Sequence, residues 1–362
     1  MPYLYIDYDE GRDCGIIKSD YLNNIREYFS EVDEKAGLKK RIFQRHFQPS
    51  RKYIITEQGR FDFGMIIEII KYLKSIPSPF KITFSEAFKK RYSTIYPFHN
   101  DELSQLKLEY RNYQEAGIRA GIKNGCGLIL HPTGGGKTLS MAGLLTTVLK
   151  YQPNSKILVI LPTSLINQTY QDFLSYGINP EFISKWSGEH ELNMSSKIVI
   201  AGTNILYPVI TNVQLEMKKV RIVELSLLKQ LKDPSITSEK QKHNEAMLIE
   251  IAKDKIRLQE SIEKNKVIHK YLSTIDLLMI DEVHQFKKDN KLQSLLKFIT
   301  TRHRFGYTGT LPESSIDKWF LIGNIGPIVY EISRDVLVEQ EFITSVDIKV
   351  LEIHYKTPLN II

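Results

Sequence analysis

Cysteine is nearly missing from this chain of 362 residues: there are two, Cys14 and Cys126, far apart and outside any metal-ligating spacing. Their scarcity excludes a disulfide framework and a cysteine-held zinc module, and it points to a reducing, cytoplasmic setting. Long apolar runs are missing too. None approaches the ~20 residues needed to cross a bilayer. The opening MPYLYIDYDEGRD carries acids where a signal peptide carries bases, so no membrane role is expected. Internal repeats and low-complexity tracts are also absent, which sets aside solenoids and fibrous proteins. With 42% apolar and 25% charged residues the chain has the composition of a globular protein. Its length calls for two domains, one of them carrying an insertion. A net charge of +7 suits a polyanionic partner and equally a mildly basic surface.

What is present divides the chain. Residues 1–97 hold alternating segments (PYLYIDYD, KYIITEQGRFDFG) that predict short strands, and FGMIIEIIKYLKSI has the spacing of an amphipathic helix. Together they predict a small α+β domain that ends near Pro97. Between them Lys39, Lys40, Arg41, Arg45, Arg51 and Lys52 interleave with Phe43 and Phe47. That pattern suits a patch facing DNA, or equally a core with a solvated rim. From residue 98 to 340, apolar runs at 127–130, 157–161, 198–201, 275–281 and 302–310 alternate with helix-like stretches, the pattern of buried parallel strands in an α/β fold. Residues 211–272 are dense in Lys, Glu, Gln, Leu and Ile and are broken by Asp233-Pro234-Ser235. They predict a helical hairpin inserted into the α/β domain.

Within that domain LILHPTGGGKTLSMA (128–142) runs from a strand into a helix expected from Leu139 onward. A phosphate chain needs inward-facing backbone N–H groups, and Gly134, Gly135 and Gly136 leave them uncovered. Lys137 has the reach for the β- and γ-phosphates, and the Thr138 hydroxyl suits Mg²⁺. His131 stands where the strict glycine pattern has its first Gly. Further on, the strand in LLMIDEVH (277–284) ends in Asp281, suited to Mg²⁺ through water. Glu282 follows, a carboxylate able to orient and deprotonate an attacking water.

The order of these signatures resembles the superfamily 2 helicases and translocases of the DExH type. YRNYQEAG (110–117) resembles that family's adenine-recognising motif, which implies Gln114 and Arg111 at the base. PTGGGKT (132–138) resembles motif I, adding Pro132 and Thr133 to the nucleotide site; the family tolerates a residue other than Gly at the position of His131. LPTSLINQ, IAGTNIL, DEVH and GYTGT resemble motifs Ia, Ib, II and III. The resemblance implies that Pro162, Thr163, Ser164, Gln168, Gly202 and Thr203 face a nucleic-acid backbone. It also implies that His284, Thr308 and Thr310 couple nucleotide state to strand position. Within the superfamily the likeness is to phage branch-migration helicases of the UvsW kind, with RHFQPSRKYIITEQGRFDFGMIIEIIKYL (45–73) similar to their N-terminal segment; the setting would then be a host cytoplasm.

The expectation is therefore an α/β RecA-like P-loop domain behind a small α+β domain, with ATP and Mg²⁺ as cofactors and branched or forked DNA as partner. Such motors close ATP between two RecA-like domains. Here 334–355 resembles an exit strand and linker, with 341–362 leading towards a second domain in cis. Without that domain, weak ATP binding and poor hydrolysis are expected. Arg302 and Arg304 belong to a neighbouring strand more simply than to the γ-phosphate. The alternatives are the motor subunit of a restriction system, an RNA helicase, and a nucleic-acid-binding module without turnover.

Overall fold

The computed structural model describes residues 3–33, 51–77, 80–93, 102–210, 213–231, 237–286, 295–296 and 298–344. The N-terminal part contains β1 (Tyr3–Asp9), β2 (Cys14–Lys18), α1 (Leu22–Tyr28), β3 (Ser30–Val32), β4 (Arg51–Tyr53), β5 (Arg60–Asp62), α2 (Ile66–Ser75), β6 (Lys81–Phe84) and α3 (Glu86–Ser93). β1 alternates, with Leu4 and Ile6 fully buried between outward neighbours, the period of a half-buried strand. A mixed sheet in the order β5-β2-β1-β6 results, antiparallel except for β1 and β6, with β3 and β4 as a separate antiparallel pair. α2 buries Ile66, Ile69 and Leu73 on one face.

The larger part comprises α4 (Asn112–Asn124), β7 (Gly127–Leu130), α5 (Lys137–Tyr151), β8 (Ile157–Leu161), α6 (Ile166–Ser175), β9 (Ile183–Trp186), β10 (Ile198–Gly202), α7 (Thr203–Ile210), α8 (Val213–Leu231), α9 (Ser238–Leu272), β11 (Leu277–Ile280), β12 (His303–Thr308), α10 (Ser315–Ile325), β13 (Ile328–Glu331) and α11 (Arg334–Glu339). Its seven strands lie in the order β13-β7-β12-β11-β8-β10-β9, and every pairing is parallel. This is the RecA-like α/β architecture. Successive residues of the central strands serve opposite faces. Leu128, Leu158, Ile160 and Leu278 enter one core, and Ile129, Ile157, Val159 and Leu277 the other.

The N-terminal part is built into the first of these cores, which also holds Leu4, Ile25, Phe61 and Phe88. α10 forms the seam. Trp319 meets Phe29 edge-on at 5.1 Å, and Asn324 Nδ2 donates to Asp62 at 2.9 Å. Glu31 accepts from Ser314 Oγ at 2.9 Å and from the Ile316 N–H at 3.0 Å, placing a carboxylate at the start of the helix. At Gly64 a Cβ would stand 2.2 Å from the Ile322 carbonyl oxygen, so only glycine permits this approach.

Several expectations change. α5 begins at Lys137 rather than Leu139. The edge strands β9 (ISKW) and β13 (IVYE) were not anticipated, being short and half polar. The expected exit strand is instead the helix α11 followed by a turn through residue 344; residues 345–362 lie outside the described residues. The inserted hairpin is two helices, joined in antiparallel sense by Lys255 to Glu224 at 2.9 Å and Asn244 to Gln230 at 3.3 Å. Asp233-Pro234-Ser235 and Pro97 lie outside the described residues, as do Lys39, Lys40, Arg41, Phe43, Arg45 and Phe47. Of the basic patch, Arg51 pairs with Glu27 at 3.2 Å and Lys52 with Asp33 at 3.9 Å. No described helix is long and apolar enough to cross a membrane.

Candidate active site

β7 ends at Leu130, and residues 131–136 turn the chain into α5. The turn uses the left-handed region at Gly134 (φ 81°) and Gly136 (φ 68°), open to glycine at no steric cost. A Cβ on Gly136 would stand 2.2 Å from Gln114 Nε2. Bare backbone ahead of a helix N-terminus makes an anion cradle. Thr133 and Gly134 are exposed at its mouth, while Pro132 and Gly135 are buried beneath.

Lys137, the first residue of α5, reaches across to β11. Its Nζ lies 3.1 Å from Glu282 Oε1. Glu282 sits at φ 48°, a conformation uncommon outside glycine, which turns its carboxylate towards the loop. Asp281 is 9% exposed and accepts the Glu282 N–H at 2.9 Å. Burial and the neighbouring Glu282 raise its pKa, so a cation beside it would favour the charged form. Among the described residues no group of three His, Cys, Asp or Glu could hold a metal alone. The residues that would hold Mg²⁺ are Thr138 and Asp281, since that ion takes one or two protein oxygens and completes its shell with phosphate and water.

A relay leads away from Glu282. Thr308 Oγ1 gives its single proton to the Thr310 carbonyl at 2.8 Å, so it accepts from His284 Nδ1 at 2.9 Å. The same His284 Nδ1 also lies 3.3 Å from Glu282 Oε2, so Thr308 and Glu282 share one ring nitrogen. Motif II and the end of β12 are thereby joined through hydrogen bonds.

Gln114 was expected to read a base. It is 2% exposed, and backbone engages both ends of its amide: Oε1 accepts the Arg111 N–H at 2.9 Å, and Nε2 donates to the carbonyls of Gly136 at 3.3 Å and Gly135 at 3.4 Å. In this arrangement it braces the phosphate loop. Arg111 turns outward, donating to the Phe342 carbonyl at 3.3 Å with its guanidinium 5.0 Å from the Phe342 ring centre.

The residues expected to face nucleic acid gather at the same edge of the sheet, after β8 and β10. The Asn204 N–H donates to Thr163 Oγ1 at 3.4 Å, and a Cβ on Gly202 would come within 2.8 Å of that oxygen. Ser164 and Gln168 are exposed, Pro162 and Thr163 half-buried, Thr203 buried. Along that edge the nucleotide candidates follow β7 and β11, and the strand candidates lie beside them at the ends of β8 and β10.

Other contributors have no role assigned from the sequence. Tyr113 donates its hydroxyl to the Gly135 carbonyl at 3.0 Å. His131 is fully buried, its ring met edge-on by Tyr113, Tyr307 and Tyr330. Beyond α11, Ile343 lies 3.1 Å from where a Gly134 Cβ would be. The buried side of α4 could have pointed to Tyr113; nothing local pointed to residue 343.

A family model described as "Type III restriction enzyme, res subunit" matches residues 107–313. No curated protein matches the chain. Among solved structures the chain is similar to the UvsW helicase from bacteriophage T4 at 16% identity, with TM-score 0.54, over 90% of this chain and 99% of that one. A second T4 UvsW structure gives 17% identity and TM-score 0.56 over 90% of this chain, which spans 56% of that protein. At these identities the likeness is one of fold. The family match takes in more than half of the chain and every motif from the phosphate loop to Thr310, and the chain belongs to this helicase family of superfamily 2 motors.

Proposed function

We propose that this chain is the ATP-hydrolysing motor of a DNA helicase or translocase that remodels branched DNA. The observation that carries the reading is the pairing of Lys137 with Glu282 across the phosphate loop, with Thr138 and Asp281 their neighbours in the chain. A γ-phosphate in the loop competes for the Lys137 ammonium and frees the Glu282 carboxylate to orient a water and take its proton. Thr138 and Asp281 would hold Mg²⁺, which when bound would neutralise charge on the phosphates. As Glu282 changes partner, His284 and Thr308 carry the change to Thr310 and β12. The loops after β8 and β10 contact the strand through small side chains and hydroxyls, suited to backbone rather than bases. A second RecA-like domain would complete the cleft with its own cations.

The test is DNA-stimulated phosphate release, lost in Lys137→Ala and Glu282→Gln; hydrolysis persisting in both sinks the assignment. Labelled four-way junctions, forks and tailed duplexes then separate the finer readings. Resolution of junctions and forks, with plain duplexes left intact, supports branch migration. The description of the matching family favours one rival, a restriction-system motor, which would hydrolyse ATP on plain duplex and resolve no junction.

A further inference from the structure

Where β7, β12 and β13 begin, at the opposite edge of the sheet from the phosphate loop, the N-terminal part and the motor enclose a cavity of about 240 Å³. Its walls carry Arg91 from α3, Lys123 from α4, and Arg302 and Arg304 from the start of β12 and the residue before it, against two carboxylates, Asp13 and Asp62. The carboxylates are engaged: Asp13 accepts from Arg91 Nε at 2.9 Å, and Asp62 accepts the Asn324 amide at 2.9 Å. Arg304 donates to the carbonyls of Thr301, Asn324, Leu296 and Ile299. Those neutral oxygens satisfy its hydrogen bonds and leave its charge in place. Arg91, 7% exposed, lies 4.5 Å from the Phe63 ring centre. Burial and the like charge of Arg91 push the pKa of Arg302 below its ordinary value, against the opposite pull of Asp13 and Tyr8. Four cations face two carboxylates here, brought together from two parts of the chain that share one core, in a recess where a guanidinium attracts an anion more strongly than it does in water.

We propose that this cavity is a second anion site, taking a phosphate group between Arg91 of the N-terminal part and Arg302 of the motor. The group comes either from a free phosphate or pyrophosphate ion, or from the phosphorylated end of a nucleic-acid strand. In both cases it bridges the two parts and tightens their docking. None of the residues used here belongs to the proposed hydrolytic site, so the two readings fail separately.

Thermal unfolding of the whole chain tests this, with Lys137→Ala as background to weaken the phosphate loop. Inorganic phosphate, pyrophosphate, and 5′-phosphorylated and 5′-hydroxyl oligonucleotides are titrated at constant ionic strength. The melting temperature should climb with ligand concentration, and adding Arg302→Gln should weaken the apparent affinity by about tenfold or more. Lys123→Gln, at an exposed position, should weaken it less and decides the matter if the Arg302 variant does not fold. A free-ion source shows as a response to the inorganic ions with no preference for phosphorylated ends. A strand-end source shows as tighter binding of the 5′-phosphorylated oligonucleotide. No response to any of the four, or responses unchanged by both substitutions, would overturn the proposal.

Discussion

Acidification from pH 7.5 to 5 should destabilise the chain through one identifiable side chain, His131. Its Nδ1 lies 3.4 Å from Ser140 Oγ, and Nε2 has no hydrogen-bond partner among the described residues. Burial, with Lys137 adding to it, pushes its pKa from the ordinary 6.5 down to about 4. A histidine lowered in this way is neutral when folded and takes a proton more readily when unfolded. Its stability contribution is therefore whole above pH 6.5, and it drains away as the pH falls towards 4. At 1.36 kcal/mol per pKa unit the full loss is about 3 kcal/mol, of which about 2 kcal/mol has gone by pH 5. Urea unfolding at pH 7.5, 6 and 5 measures it, with His131→Gln as the non-titrating control. His303, also lowered by burial, changes stability in the same sense, whereas Asp281, raised by burial, works in the opposite one. Only the difference between wild type and variant isolates His131. If both lose stability equally over this range, the buried neutral imidazole is wrong.

Three further outcomes are expected. Gly136→Ala sets a Cβ against Gln114 in a left-handed backbone, costing roughly 1–2 kcal/mol and abolishing ATP binding; calorimetry with ATP and a melting curve check both. Thr308→Val removes the acceptor of His284 without changing shape much, and should cut DNA stimulation about tenfold, or ~1.4 kcal/mol, while leaving basal hydrolysis near wild type in a phosphate-release assay. Glu31→Ala deprives the start of α10 of its carboxylate at a cost of about 1 kcal/mol, visible as faster amide hydrogen exchange over 314–318 with β7 unaffected.

The nucleotide loop was legible because its chemistry is local. A strand, three glycines, Lys137 and Thr138 lie in one short stretch, and Asp281 and Glu282 adjoin on the neighbouring turn. Strands buried on both faces, such as β8 and β10, announce themselves as unbroken apolar runs. The edge strands β9 and β13 have one neighbour each and need less apolar surface, so ISKW and IVYE carried little signal. Contacts between distant segments left no pattern at all. Glu31 on Ser314, Phe342 on Arg111 and the three tyrosines around His131 depend on which surfaces meet. Gln114 shows the same limit within a motif. Its place in the chain was readable, but its bonds to the phosphate loop depend on how α4 packs.

The inserted hairpin has a mechanical consequence. α9 is 35 residues long, about 52 Å at 1.5 Å per residue. Among the described residues it is tied to α7 near its C-terminal end, where Asn265 donates to the Pro208 carbonyl at 3.1 Å and His269 Nε2 meets that of Val209 at 2.9 Å. Those carbonyls belong to α7, which begins at Thr203 directly after β10 ends at Gly202. From this fulcrum the helix runs about 40 to 47 Å to Ser238, so a tilt of about 5° swings the far end of the arm by roughly 4 Å. Rearrangements too small to see beside the strand would be magnified to a readable distance change between probes on the arm's tip and on α5.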